Sequence, residues 1–131
     1  MTVVLDANAA IDFLLNGRDS VRLGAILESA EEIIAPDLLF VELANAIGKM
    51  HRFKNLSLNL CDYALQSAEG LLHRAVPCRE LYRDAFELAR VSQRSAYDML
   101  YLALARREAA TLVTLDAALK KDAERQGIPT A

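Results

Sequence analysis

The 131-residue chain is poor in the residues that break or staple a fold: five glycines, three prolines, two cysteines, two histidines and no tryptophan. So few glycines and prolines, with no biased tract, exclude a collagen-like or low-complexity chain and leave no composition shift to mark a linker. No internal repeat is present, which excludes a solenoid. Cys61 and Cys78 have no Cys-x-x-Cys spacing and no clustered histidines around them, so neither a disulfide framework nor a structural zinc site is indicated. Reduced, packed thiols are the expectation. No apolar stretch approaches the ~20 residues that a membrane span needs. The opening "MTVVLDANAAIDFLL" has no basic segment ahead of its apolar residues and reaches Asp6 too soon for a signal peptide, so a cytoplasmic protein is expected. Fifteen Lys and Arg against eighteen Asp and Glu, net −3, argue against coating nucleic acid through bulk charge while leaving room for local basic patches.

What is abundant is apolar: 53% of the chain is hydrophobic. Its length suits a single domain spanning residues 1–131. A domain of this size buries roughly two thirds of its unfolded surface. The apolar excess predicts surface covered by a partner, most simply a second copy in a homodimer.

Strand signals are short and β-branched: Thr2 to Leu5, "EIIAP" ending at Pro36, "HRAVPC" ending at Pro77, Thr111 to Leu115, and "GIPTA" as a final edge strand. Between them the 3.6-residue period predicts helices over Ala9–Leu15, Ser20–Glu32, Asp37–Arg52, Ser57–Leu72, Arg79–Ser92, Ser95–Glu108 and Ala117–Gln126. Ser20, Ser57 and Ser95 are read as N-caps, and Gly127 as the stop after the last helix. Strands separated by helices imply an α/β three-layer sandwich, a central parallel sheet flanked by helices.

Within this pattern four carboxylates stand out. Asp6 and Asp116 follow the first strand and "TLVTL", on the sheet edge where open parallel sheets bind ligands. Glu42 and Asp98 lie inside the apolar runs "PDLLFVELANAIGK" and "SAYDMLYLALA", where an ionised group is rarely buried without a partner. Structural alternatives exist for each. An Asp after a strand often caps a helix, and Asp98 could complete a capping box with Ser95 or pair with Arg94.

If the two helices begin near the two strand ends, all four acids share one cleft. Two unit charges ~4 Å apart repel by about 4 kcal/mol at an effective dielectric near 20. A hard divalent cation answers that repulsion, and oxygen-only ligands favour Mg²⁺ or Mn²⁺ over zinc. Such an ion, with carboxylates and water around it, suits hydrolysis of a phosphodiester. No serine nucleophile elbow, phosphate-binding loop or dinucleotide-binding turn competes. Asp6-x-Asn8 also lacks the second Asp of an aspartate-nucleophile phosphatase.

The segments "VVLDANAAIDFL", "PDLLFVELANAI", "AYDMLYLALA" and "TLVTLDAAL" resemble, in order and over Val3 to Leu119, the four acidic motifs of PIN-domain nucleases, most closely the stand-alone VapC toxins. The resemblance implies a PIN-like sandwich, usually a homodimer, with a Mg²⁺ or Mn²⁺ site. Asp6, Asp98 and Asp116 would ligate the ion and Glu42 would complete the site and act on the attacking water. It also implies an endoribonuclease cutting structured RNA, restrained by a cognate VapB-type antitoxin. Asn8 and Thr114 stand where the family often has polar side chains supporting the acids. Two other readings stay open: an RNA- or partner-binding domain of this fold with little activity, and an RNA- or DNA-processing nuclease outside a toxin–antitoxin pair.

Lys49, His51, Arg52 and Lys54 concentrate charge at the end of the Glu42 helix, where the macrodipole alone favours it and where Lys49 and Arg52 are also candidates for RNA phosphate. Arg94 is a third candidate, with Arg18 and Arg22 as further ones. Tyr63, Tyr82, Tyr97 and Tyr101 follow helical spacing and are read as core or dimer contacts, and isolated His51 and His73 as non-catalytic. Asp37 is read as a helix-terminus charge, and Asp12 is assigned no role.

Overall fold

A computed structural model describes residues 1–131. Four strands, β1 (Thr2–Leu5), β2 (Glu32–Pro36), β3 (Arg74–Val76) and β4 (Thr111–Val113), form one sheet in the order β3-β2-β1-β4. All three pairings are parallel, with Val4 opposite Ile34 and Leu112. Seven helices connect and cover them: α1 (Ala7–Leu14), α2 (Ser20–Ser29), α3 (Leu38–Lys54), α4 (Leu58–Leu71), α5 (Tyr82–Ser92), α6 (Ala96–Arg107) and α7 (Ala117–Arg125). None is long and apolar enough to cross a membrane.

β1, β2 and β4 are buried along most of their length because both faces are covered, while edge strand β3 exposes Arg74 and Ala75. Successive side chains point to opposite sides, so Val4, Ile34 and Leu112 join one core with α5, α6 and α7. Val3, Leu5, Ile33, Ala35 and Val113 join the other with α1 to α4. Val3, Val4 and Leu5 are wholly buried, each worth roughly 1.5–3 kcal/mol of removed apolar surface. Large apolar side chains also remain outside, among them Val41, Phe53, Leu58, Tyr63, Phe86 and Val91 on α3, α4 and α5.

The expected three-layer sandwich is therefore present, with local differences. β4 stops at Val113, so Thr114 and Leu115 form a turn ahead of Asp116 rather than the end of a strand. "GIPTA" contributes a single bridge, Leu112 to Thr130, because Pro129 has no amide to extend a ladder. The segment Arg79–Ser92 splits into a 3-10 turn at Cys78–Glu80 and α5. Ser57 and Ser95 cap α4 and α6 through their hydroxyls, but Ser20 does not cap α2; it is already helical, and Asp19 occupies the cap position without a side-chain bond. Gly127 follows α7 at φ +71°, a left-handed conformation that costs glycine little.

The topology places the functional edge. From β1 the chain moves outward to β2 and β3, then returns to the other side of β1 for β4. The order reverses between β1 and β4, and a crevice opens over the carboxyl ends of strands at such a point. α3 starts just after β2 ends, and α6 leads into β4, so both helices have their first turns at this same edge.

Candidate active site

Four carboxylates from four elements line one cavity at that edge. Asp6 follows β1, Glu42 and Asp98 sit early in α3 and α6, and Asp116 precedes α7. Asn8, Asn45, Ile11 and Ala46 complete most of the wall of a space of about 280 Å³.

Asp6 is held on both oxygens. Its Oδ1 accepts from the Ala7 amide at 2.7 Å, capping α1, and its Oδ2 accepts from the Thr114 hydroxyl at 2.7 Å. Its own amide donates to Val113 at 3.0 Å, extending the β1–β4 ladder by one rung. Burial pushes its carboxyl up to about 6, against the two hydrogen bonds and with the help of nearby Glu42 and Asp98. Asp6 thus caps α1 and lines the cavity at once, and the bond that caps the helix also fixes where its carboxylate stands.

Thr114 is a hub that is fully buried. Its single hydroxyl hydrogen goes to Asp6, while its oxygen accepts from the Asp116 amide at 3.1 Å. Asn8 braces the same turn, its Oδ1 accepting from the Leu115 amide at 3.1 Å. Asp116 caps α7, Oδ1 accepting from Ala118 and Leu119 at 2.9 and 3.2 Å. The supporting roles expected of Asn8 and Thr114 have this geometric counterpart.

Glu42 is half-buried and accepts from the Tyr101 hydroxyl at 2.5 Å. Burial lifts its carboxyl above the ordinary value, Tyr101 opposes this, and Asp98 adds to it. Tyr101 itself is buried, and its phenol is pushed far upward by burial and by Glu42, so it stays a neutral donor. Helical spacing marked Tyr101 as a core or dimer contact, and it is buried; its bond to Glu42, 59 residues away, had no local signal.

Asp98 receives half of the capping box: its amide donates to Ser95 Oγ at 3.3 Å. Its carboxylate faces the cavity and Arg94, whose Nη2 lies 3.4 Å from Asp98 Oδ2 and 3.6 Å from Asp116 Oδ2. Burial raises the Asp98 carboxyl, Arg94 lowers it, and Asp116 and Asp122 raise it again. Asp122, on α7, is a further acid unremarked in the sequence; Arg94 Nε reaches it at 3.1 Å.

None of the basic candidates lines this cavity, and Arg94 reaches its edge only through Asp98 and Asp116. Lys49 and Arg52 are exposed on α3, about 10 and 15 Å further along the helix axis than Glu42 at ~1.5 Å per residue, and Arg52 stacks over Phe53. Arg22 pairs with Asp19. Asp12 accepts from the Asp19 amide, and Asp37, at the N-terminus of α3 as expected, accepts from the Cys78 amide rather than capping its own helix.

The acids share the cavity, but no three of them are yet gathered as a ligand set, each being turned to a protein donor. The donor chemistry nevertheless fits a hard cation. The acidic groups in the wall are all carboxylates, neither His nor Cys is present, and at Asp6, Glu42 and Asp98 the ionised form is disfavoured first by burial and then by neighbouring acids, which for Asp98 are Asp116 and Asp122.

A family model described as PIN domain matches residues 3–124, a span containing all four acids. In fold the chain is similar to PAE2754 from Pyrobaculum aerophilum, with TM-score 0.73 and 18% identity, covering 93% of this chain and 87% of that one. It is similar to FitAcB from Neisseria gonorrhoeae at TM-score 0.66 and 19% identity, covering 98% and 95% of the two chains. VapBC2 from Rickettsia felis, bound to a DNA fragment from their promoter, matches at TM-score 0.68 and 16% identity, covering 100% and 98%. No curated protein matches in sequence.

Proposed function

Because the chain belongs to the PIN-domain family, whose members are generally nucleases, we propose that it is a Mg²⁺- or Mn²⁺-dependent endoribonuclease and the toxin of a type II toxin–antitoxin pair. The observation that carries this reading is the meeting of Asp6, Glu42, Asp98 and Asp116 in one cavity over the β1–β4 crevice.

Asp6, Asp98 and Asp116 would hold the ion, directly or through water, with Glu42 completing the site. The bound ion supplies activation of water and charge compensation at the scissile phosphate. The protein's own groups do the rest. Thr114 and the Ala7 amide fix the Asp6 plane, and each Asp6 oxygen keeps a second lone pair. Glu42 uses Oε1 to accept from Tyr101, leaving Oε2 to take a proton from the attacking water. Arg94, at the cavity's edge, is the basic group best placed for RNA phosphate, while Lys49 and Arg52 would engage RNA further along α3.

Resemblance to FitAcB and VapBC2 supports a VapB-type antitoxin as partner, and the exposed apolar side chains of α3, α4 and α5 support a homodimer. The Arg94 contacts to Asp98 and Asp116 favour a second reading, a PIN domain that binds RNA or a partner and cuts little. One experiment separates them. Purified protein is incubated with total RNA, with Mg²⁺, with Mn²⁺ or with chelator, beside Asp6→Asn and Asp98→Asn. Defined fragments that vanish with chelator and in both variants are expected. Metal-independent cleavage, or full activity in the variants, refutes the mechanism, and RNA binding without cleavage favours the second reading.

A further inference from the structure

Arg94 lies in the turn between α5 and α6, directly after Gln93, which ends α5 in the left-handed conformation at φ +58°. Its guanidinium meets three carboxylates and satisfies none of them well. Nη2 is 3.4 Å from Asp98 and 3.6 Å from Asp116, both long for a charged hydrogen bond. Nε is 3.1 Å from Asp122 Oδ2, yet the two atoms are not aligned to bond, and both are shut off from solvent. Asp122 is 7% exposed, whereas Asp98 and Asp116 are more than a third exposed. The side chain is thus anchored at a buried acid and stretched toward two acids that line the cavity.

We propose that Arg94 is a tethered counter-cation: it competes with a divalent ion for Asp98 and Asp116, and it retreats onto Asp122 when the ion takes them. The proposal rests on the metal-dependent nuclease reading. The physics is an exchange of partners. A guanidinium offers the two carboxylates positive charge but only long contacts, and a hard cation offers short oxygen coordination in their place. The displaced guanidinium keeps a buried anion, because a short rotation would align Nε with the Asp122 oxygen it already faces. Asp122 therefore lowers the cost of emptying the site, and Arg94 stays at the rim with its fork free for phosphate.

The test is calorimetric titration of Mn²⁺ into the purified full chain, with Asp6→Asn as the control for binding at this site. Arg94→Gln is expected to bind Mn²⁺ about tenfold more tightly, since two half-exposed pairs, each worth a factor of a few, are lost together. Asp122→Asn is expected to weaken binding several-fold in the natural chain. It should have little effect in the Arg94→Gln background, because the tether acts through the arginine. The double variant removes both charges and so keeps the comparison open if Arg94→Gln alone folds poorly. Relative to Asp122→Asn, it should regain the full tightening. Unchanged or weaker binding in Arg94→Gln overturns the competition. Equal effects of Asp122→Asn in both backgrounds overturn the tether, leaving a mere long-range charge. No saturable Mn²⁺ binding by the natural chain would defeat the nuclease reading itself, and this proposal with it.

Discussion

Asp6→Asn should stabilise the protein at neutral pH while abolishing the proposed RNA cleavage. Asp6 is 8% exposed, and burial pushes its carboxyl up to about 6, against 3.8 for the ordinary group. Raised above the unfolded value, it contributes relative stability that is fully present below 3.8 and is lost as pH rises through about 6. Above that range the ionised acid carries a penalty of about 3 kcal/mol, at ~1.36 kcal/mol per pH unit between the two values. Asparagine removes the charge and can keep the contacts. Its carbonyl accepts from Ala7, its amide donates to Thr114, and the Thr114 hydrogen turns to Asn8 Oδ1, already 3.4 Å away. In metal-free buffer at pH 7.5 the variant should gain about 3 kcal/mol, on the order of 10 °C in melting temperature for a domain of this size. At pH 4 the gain should shrink to about 0.5 kcal/mol, because the folded acid is then protonated. Urea unfolding of both proteins at the two pH values measures it. Equal destabilisation at both pH values would mean that the hydrogen bonds, not burial, govern this carboxylate.

Asp116 combines a helix cap with a place in the cavity, and two substitutions separate the roles. Asp116→Asn should stay within about 0.5 kcal/mol of the natural chain because asparagine caps equally well, while Asp116→Ala should lose about 1 kcal/mol; RNA cleavage should fail in both. Tyr101→Phe removes the donor to Glu42, and kcat should fall roughly tenfold with RNA affinity unchanged in a filter-binding assay. An equal loss of RNA affinity would assign Tyr101 to substrate binding instead.

Much of the fold was legible because its signals are local. The β-branched run Thr2–Leu5, the serines before α4 and α6, and Gly127 after α7 each act within a few residues, and each stands where the sequence places it. The misses share a cause. Ser20 has a good cap residue's chemistry, but Asp19 stands at the cap because of how the Gly17 turn delivers the chain, its carbonyl accepting from the Ser20 amide. Leu115 has strand chemistry, but the Thr114–Asp116 bond pulls the chain into a turn.

By itself the sequence determined the layers and the four acids, because strand and helix periods are written in neighbouring residues and an acid inside an apolar run is conspicuous without coordinates. Tertiary structure decided which distant groups meet those acids: Thr114 with Asp6 across 108 residues, Tyr101 with Glu42, and Arg94 with Asp116 and Asp122, whereas the Arg94–Asp98 pair, four residues apart, was open to the sequence. These partners come together through the sheet order β3-β2-β1-β4, which brings distant strand ends side by side. Whether a carboxylate is capped, neutralised or left to bind a cation depends on a few ångströms between chain segments, and that spacing has no local trace in the sequence.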